Sequence, residues 1–148
     1  MHGQNNLNKM DLTSKKANIQ APDSNIFNML INCNNIGKYI PKDKVQDFQS
    51  TETTCSFTVP GAGKIEMSLQ EKVPDSLVSY SLGNAMAKDV SVIFHIENQG
   101  SNSSDFYITS HLDVPFFMAQ MIKSSLQKFV DMLVDYIKIE AERNNSIE

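Results

Sequence analysis

An α+β fold is predicted for this 148-residue chain, with a seven-stranded antiparallel sheet wrapped around one long C-terminal helix. Three observations predict it. Six consecutive segments between Val45 and Val114 alternate apolar and polar residues, which is the period of a strand with one covered and one wet face. The connections TETT, PGAG and PDS have hairpin length, while GNAMAKD and QGSNSS are longer polar or glycine-bearing loops, so sequence neighbours pair as a meander. From Pro115 to about Arg143 there is no glycine and no further proline, and Met118, Ile122, Leu126, Phe129, Val130, Leu133 and Ile137 form a helical stripe.

Taken in order, residues 1–9 are rich in Asn and Gln, lack periodicity and are expected to form a disordered tail, leaving 10–148 as a single domain. A first strand is expected from Asp11 to Gln20, with Ala17 and Ile19 facing inward. Pro22 and Asp23 suit the first turn of a helix on which Ile26, Phe27, Leu30 and Cys33 recur at three to four residues. NCNNIGKYIPKD breaks that helix, with a second helical turn expected at Pro41 to Lys44. Strands follow at Val45–Ser50, Cys55–Val59, Lys64–Val73, Leu77–Leu82, Val90–Asn98 and Asp105–Val114. In KIEMSLQEKV the residues Ile65, Met67, Leu69 and Val73 share the apolar phase. Asp113 is placed to cap the last helix and Pro115 to open it, and its length of roughly 40 Å would cross the whole sheet.

Composition narrows the function classes. A net charge of -4 without a long basic run argues against nucleic acid and against acidic lipid surfaces. No apolar run approaches the ~20 residues of a membrane span, and MHGQNNLNKM has no apolar signal core, so a cytoplasmic location and no integral membrane association are expected. Cys33 and Cys55 show neither CxxC nor metal spacing and read as small buried apolar residues.

The paired-helix stretch SNIFNMLINCNNIGKYIP, the meander TTCSFTVPGAGKIEMSLQEKVPDSLVSYSL and the closing SSLQKFVDMLVDYI resemble the START-like (SRPBCC) superfamily across residues 11–142. They are most similar to its small stand-alone bacterial members, with pollen-allergen and polyketide cyclase relatives. The resemblance implies a helix-grip fold, in β-α-α-β6-α order, whose curved sheet and long helix enclose an apolar cavity that often takes lipids, sterols or polyketides. No invariant catalytic motif defines the superfamily.

Whether the interior is solid core or pocket is open from the residues alone, because methionines at helical spacing serve either purpose. On the pocket reading a small apolar molecule, lipid, sterol-like or polyketide-like, is carried or sensed by Met67, Leu69, Tyr80, Leu82, Phe94, Ile108, Ser110, Met121, Ile122 and Phe129. Tyr39, Ile40 and Met86 would lie at the entrance, or else anchor their loops on the core. Glu71 follows Leu69 in the inward phase as a candidate acid, although two residues from a turn it could equally reach solvent. Tyr80 could equally be core with a satisfied hydroxyl. His95 and His111 fall on the convex phase, so no metal site, cofactor or catalytic residue is nominated. The competing readings are a cyclase or dehydratase, for which Glu71 and Tyr80 are the inward candidates, and a co-chaperone-like interaction module. The latter has only Leu77 and Ile93 on the convex phase, and a homodimer is allowed.

Overall fold

The computed structural model describes residues 7–40, 42–61, 63–84 and 87–147. In chain order the elements are β1 (Leu7–Thr13), β2 (Ala17–Ile19), α1 (Asp23–Leu30), α2 (Cys33–Ile36), β3 (Gln46–Ser50), β4 (Thr54–Val59), β5 (Gly63–Val73), β6 (Leu77–Asn84), β7 (Ala87–Asn98), β8 (Ser104–Pro115) and α3 (Phe116–Ile147). The sheet is antiparallel in the order β1-β8-β7-β6-β5-β4-β3, and β2 also pairs with β8. This is the predicted curved sheet and closing helix, with one difference in count.

The single strand expected from Asp11 to Gln20 is two strands on the same edge of β8. Ser14 accounts for the break: its amide donates to the Ile108 carbonyl at 2.8 Å, while its hydroxyl, in place of a backbone carbonyl, accepts the Ile108 amide at 2.8 Å. Pairing therefore survives although the backbone leaves the ladder. β1 also begins at Leu7, inside the stretch expected to be disordered; residues 1–6 of that stretch lie outside the described residues.

Three further expectations are corrected. The second helix is α2, at Cys33–Ile36, where the Asn32 side chain accepts the Asn34 amide at 2.9 Å and caps it. Lys42–Lys44 form only a turn, and Pro41 lies outside the described residues. Asp113 is a strand residue paired across from Lys9 and Lys88, so it does not cap α3. Within β5 the pairing shifts between Leu69 and Glu71. This bulge inserts Gln70 and reverses the phase beyond it, so Glu71 pairs with Ser79 and Val73 with Leu77. The turn that follows carries Pro74 and then Asp75 at φ 62, with Ser76 N donating to Val73 O at 3.0 Å, the pattern of a type II turn.

α3 packs closely on β8, β1, β2 and α1, towards one edge of the sheet. Its side-chain anchors to the described residues start about a third of the way along it. Gln127 Nε2 donates to Thr13 O at 2.9 Å, Asp131 accepts the Lys15 amide at 2.7 Å, Lys138 donates to Asn18 O at 2.6 Å, and Asn145 donates to Gln20 O at 3.0 Å. The earlier part is held by apolar contact with the described residues.

The two convex-face histidines titrate in opposite directions. His95 stacks on Tyr107 and bonds Thr109, and burial lowers its pKa, against a smaller upward pull from Glu97. His111 faces Asp11 Oδ1 at 2.7 Å with one ring nitrogen and Asp113 Oδ1 at 3.2 Å with the other. A neutral imidazole has one N–H, so only the imidazolium suits both carboxylates. The hydrogen bond it donates to Asp11 is the main cause of its raised pKa, with Asp113 adding to it. A raised folded-state value gives stability that is full below the unfolded pKa and lost as pH rises through the folded one. NMR titration is expected to place His111 above 6.5 and His95 below it, and Asp11→Asn should bring His111 down.

Candidate functional site

Two separate apolar clusters pack against α3. The larger joins α1, α2 and the concave face of β4 to β8 through Ile26, Leu30, Cys33, Phe57, Tyr80, Phe94, Phe106, Val134 and Ile137. The smaller joins Met10, Leu12, Leu112, Val114 and Ala119. The apolar side chains at their edges are only partly buried. Leu69, Leu82 and Val92 edge the first cluster, Ile122 and Leu126 edge the second, and Phe129 is partly exposed on α3. These side chains lie on the inward phases of sheet and helix, yet each keeps contact with solvent. The partly buried side chains on the inward phases of β5–β7 and of the first half of α3 are the apolar surface that forms the candidate site.

The ten expected contact residues divide into three groups. Leu69, Leu82, Ser110, Ile122 and Phe129 are partly exposed. Met67, Tyr80, Phe94 and Ile108 are buried in solid core. Met121 is 74% exposed, because the inward stripe runs through Met118, Ile122 and Leu126 and leaves it on the outer side of α3. Val92 and Leu126 belong to the same surface but were not nominated; both sit on the alternating and helical stripes that could have found them.

Tyr80 is core for a specific reason. Its hydroxyl donates to Leu30 O at 2.5 Å, and that of Tyr39 donates to Met29 O at 3.4 Å, so two tyrosines satisfy carbonyls at the end of α1. Tyr39 and Ile40 are accordingly buried rather than exposed at an entrance; Met86 lies outside the described residues. Tyr80→Phe would leave the Leu30 carbonyl buried without its partner. Urea unfolding should show a loss of about 1–3 kcal/mol.

Titratable groups are scarce on this surface. The β5 bulge turns Glu71 to the convex face, where it is exposed. Cys33 and Cys55 are both buried and free, and lie next to each other and to Tyr80. Burial pushes the Cys33 thiol up and raises Cys55 to about 12, so both stay protonated and unreactive. Among the described residues no cluster of three or more His, Cys, Asp or Glu could hold a metal ion. Val73, turned outward and 42% exposed, joins Leu77 and Ile93 on the convex face.

Two surface depressions lie elsewhere. One of about 330 Å³ is lined by Gly37, Ile40, Val45 and Phe48, and one of about 460 Å³ runs over the hydroxyl-rich strands β3–β5 at Thr51, Thr54, Ser56 and Ser68. Both are wide open and neither has α3 as a wall, so the apolar inward surface of the sheet and α3 remains the candidate.

A curved antiparallel sheet gripping a long C-terminal helix defines the START-like, helix-grip class of α+β fold, and this chain has that fold. Solved structures agree. A norcoclaurine synthase point mutant from Thalictrum flavum, in complex with a transition-state analogue, is 10% identical and superposes with a TM-score of 0.75 over 96% of this chain and 99% of that one. A START superfamily protein from Mycobacterium smegmatis is 11% identical, TM-score 0.71, over 90% and 97%. A conserved protein from Geobacillus kaustophilus is 7% identical, TM-score 0.71, over 90% and 96%. No protein-family model and no curated protein sequence matches the chain. No described helix is long and apolar enough to cross a membrane.

Proposed function

We propose that the protein binds a small apolar molecule, lipid-like, sterol-like or polyketide-like, in the cleft between the sheet and the first half of α3, and acts as a cytoplasmic carrier or sensor. One observation supports this reading: Leu69, Leu82 and Val92 on the inward phase of the sheet, and Ile122, Leu126 and Phe129 on α3, are apolar yet keep solvent contact. Apolar surface left wet gains by about 25 cal/mol for each Å² that a guest covers. The guest enters before Gln127, where the contacts of α3 with the described residues are apolar. The cyclase or dehydratase reading lacks its acid or base, since Glu71 faces outward and Tyr80 is committed to Leu30. The test is titration with the neutral dye Nile red. Saturable binding with a blue-shifted emission, competed by aliphatic compounds, is expected; a linear, unsaturated response would overturn the proposal.

A further inference from the structure

Among the described residues, Ser110 is the partly exposed polar side chain within the apolar inward phase of β8, and in the proposed cleft it sets what a guest must offer. Ser110 lies on the inward phase of β8 between Ile108 and Leu112, paired across from Val92 on β7 and Leu12 on β1. Its hydroxyl donates to Ser91 O at 3.0 Å. A serine hydroxyl has one proton and two lone pairs. With the proton committed, what it presents to a guest is an acceptor. Tyr80 cannot supply a donor instead, because its proton is held by Leu30 O and its ring is fully buried.

Among the described residues of β5–β8 one charge is on the inward phase: Lys72, which the bulge turns opposite Val78 near the end of β5, away from Ser110 and exposed. Glu71, His111 and Asp113 belong to the convex side, and Lys123 and Lys128 are exposed on α3. An ionised carboxylate seated at Ser110 would lose its hydration without gaining a partner, which is costly. A neutral hydroxyl or amide N–H would meet the free lone pair of Ser110. We infer that the ligand class is a neutral apolar molecule with a hydrogen-bond donor positioned at Ser110 Oγ, and that Ser110 discriminates it from donor-free and anionic analogues.

This inference rests on the cleft reading, and one experiment separates the two. Nile red bound to the full chain is displaced by three probes of equal chain length: decanol, decyl methyl ether, and decanoate at about pH 8, where its carboxyl is ionised. Decanol is expected to compete at least about fivefold better than the ether, the ratio of one neutral hydrogen bond, and decanoate to compete worst. Ser110→Ala should erase the decanol preference over the ether, and Ser110→Thr, which keeps the hydroxyl, should retain it. Equal competition by decanol and ether in the unaltered protein, or decanoate competing as well as decanol, would overturn the inference while leaving the cleft intact. Failure of the dye itself to bind would overturn both.

Discussion

Phe94→Ala is expected to lower the unfolding free energy by about 3–5 kcal/mol, the usual range for a buried phenylalanine. Phe94 is 4% exposed at the centre of the sheet. Its ring meets Tyr80 edge-on at 6.0 Å and stacks on Phe106 at 6.1 Å, and both of those side chains are fully buried. Truncation removes the ring that couples the two and leaves a cavity which β6 and β8 cannot close, because their backbones are pinned by pairing on both sides of β7. The loss is one of fold rather than of ligand preference. Urea unfolding followed by circular dichroism would show it, and a change below about 1 kcal/mol would mean that Phe94 borders a void.

Leu82→Trp should do the reverse. Leu82 shares the inward phase with Phe94 but stands at the cleft, partly exposed, across from Met67 on β5 and Val90 on β7. An indole there fills space that a ligand would otherwise take. Nile red affinity is expected to fall at least about tenfold, while unfolding free energy changes by less than about 1 kcal/mol, since open space spares the overpacking penalty of about 1–3 kcal/mol found in filled cores. A large stability loss with no effect on dye binding would show that the interior around Leu82 is solid.

The contrast between these two residues marks how far the sequence could be read. Strict alternation gave both of them the inward face, and the strands, the meander and the closing helix follow from the same periodicity and from hairpin-length turns. Depth within the inward face is a different matter. It depends on where the helices lie across the sheet: α1 packs on β6 and β7, where Phe94 is buried, while α3 lies towards β8, β1 and β2 and Leu82 stays partly exposed. Nothing in the period of either element encodes that offset.

Phase errors have an equally physical source. A bulge adds one residue without changing composition, so Gln70 looks like any other polar strand position although it turns Glu71 and Val73 to the convex side. Ser14 is similar, since a serine whose hydroxyl stands in for a backbone carbonyl cannot be told from one at a turn. Asp113 and Pro115 carry good helix-start chemistry, but pairing with β1 outweighs it and holds both in β8. Met121 missed the cleft because the helical stripe fixes a face only to within a residue or so, and the next position around the helix is already outside.

The most direct test of the central claim, that the cleft takes an apolar guest, is methyl chemical-shift mapping of the protein labelled at its Ile, Leu, Val and Met methyls and titrated with decanol. The account predicts saturable shifts at Leu69, Leu82, Val92, Ile122 and Leu126, with Val73, Ile93 and Ile139 on the outer surfaces unmoved. Shifts confined to those outer residues, or none at saturating decanol, would contradict it.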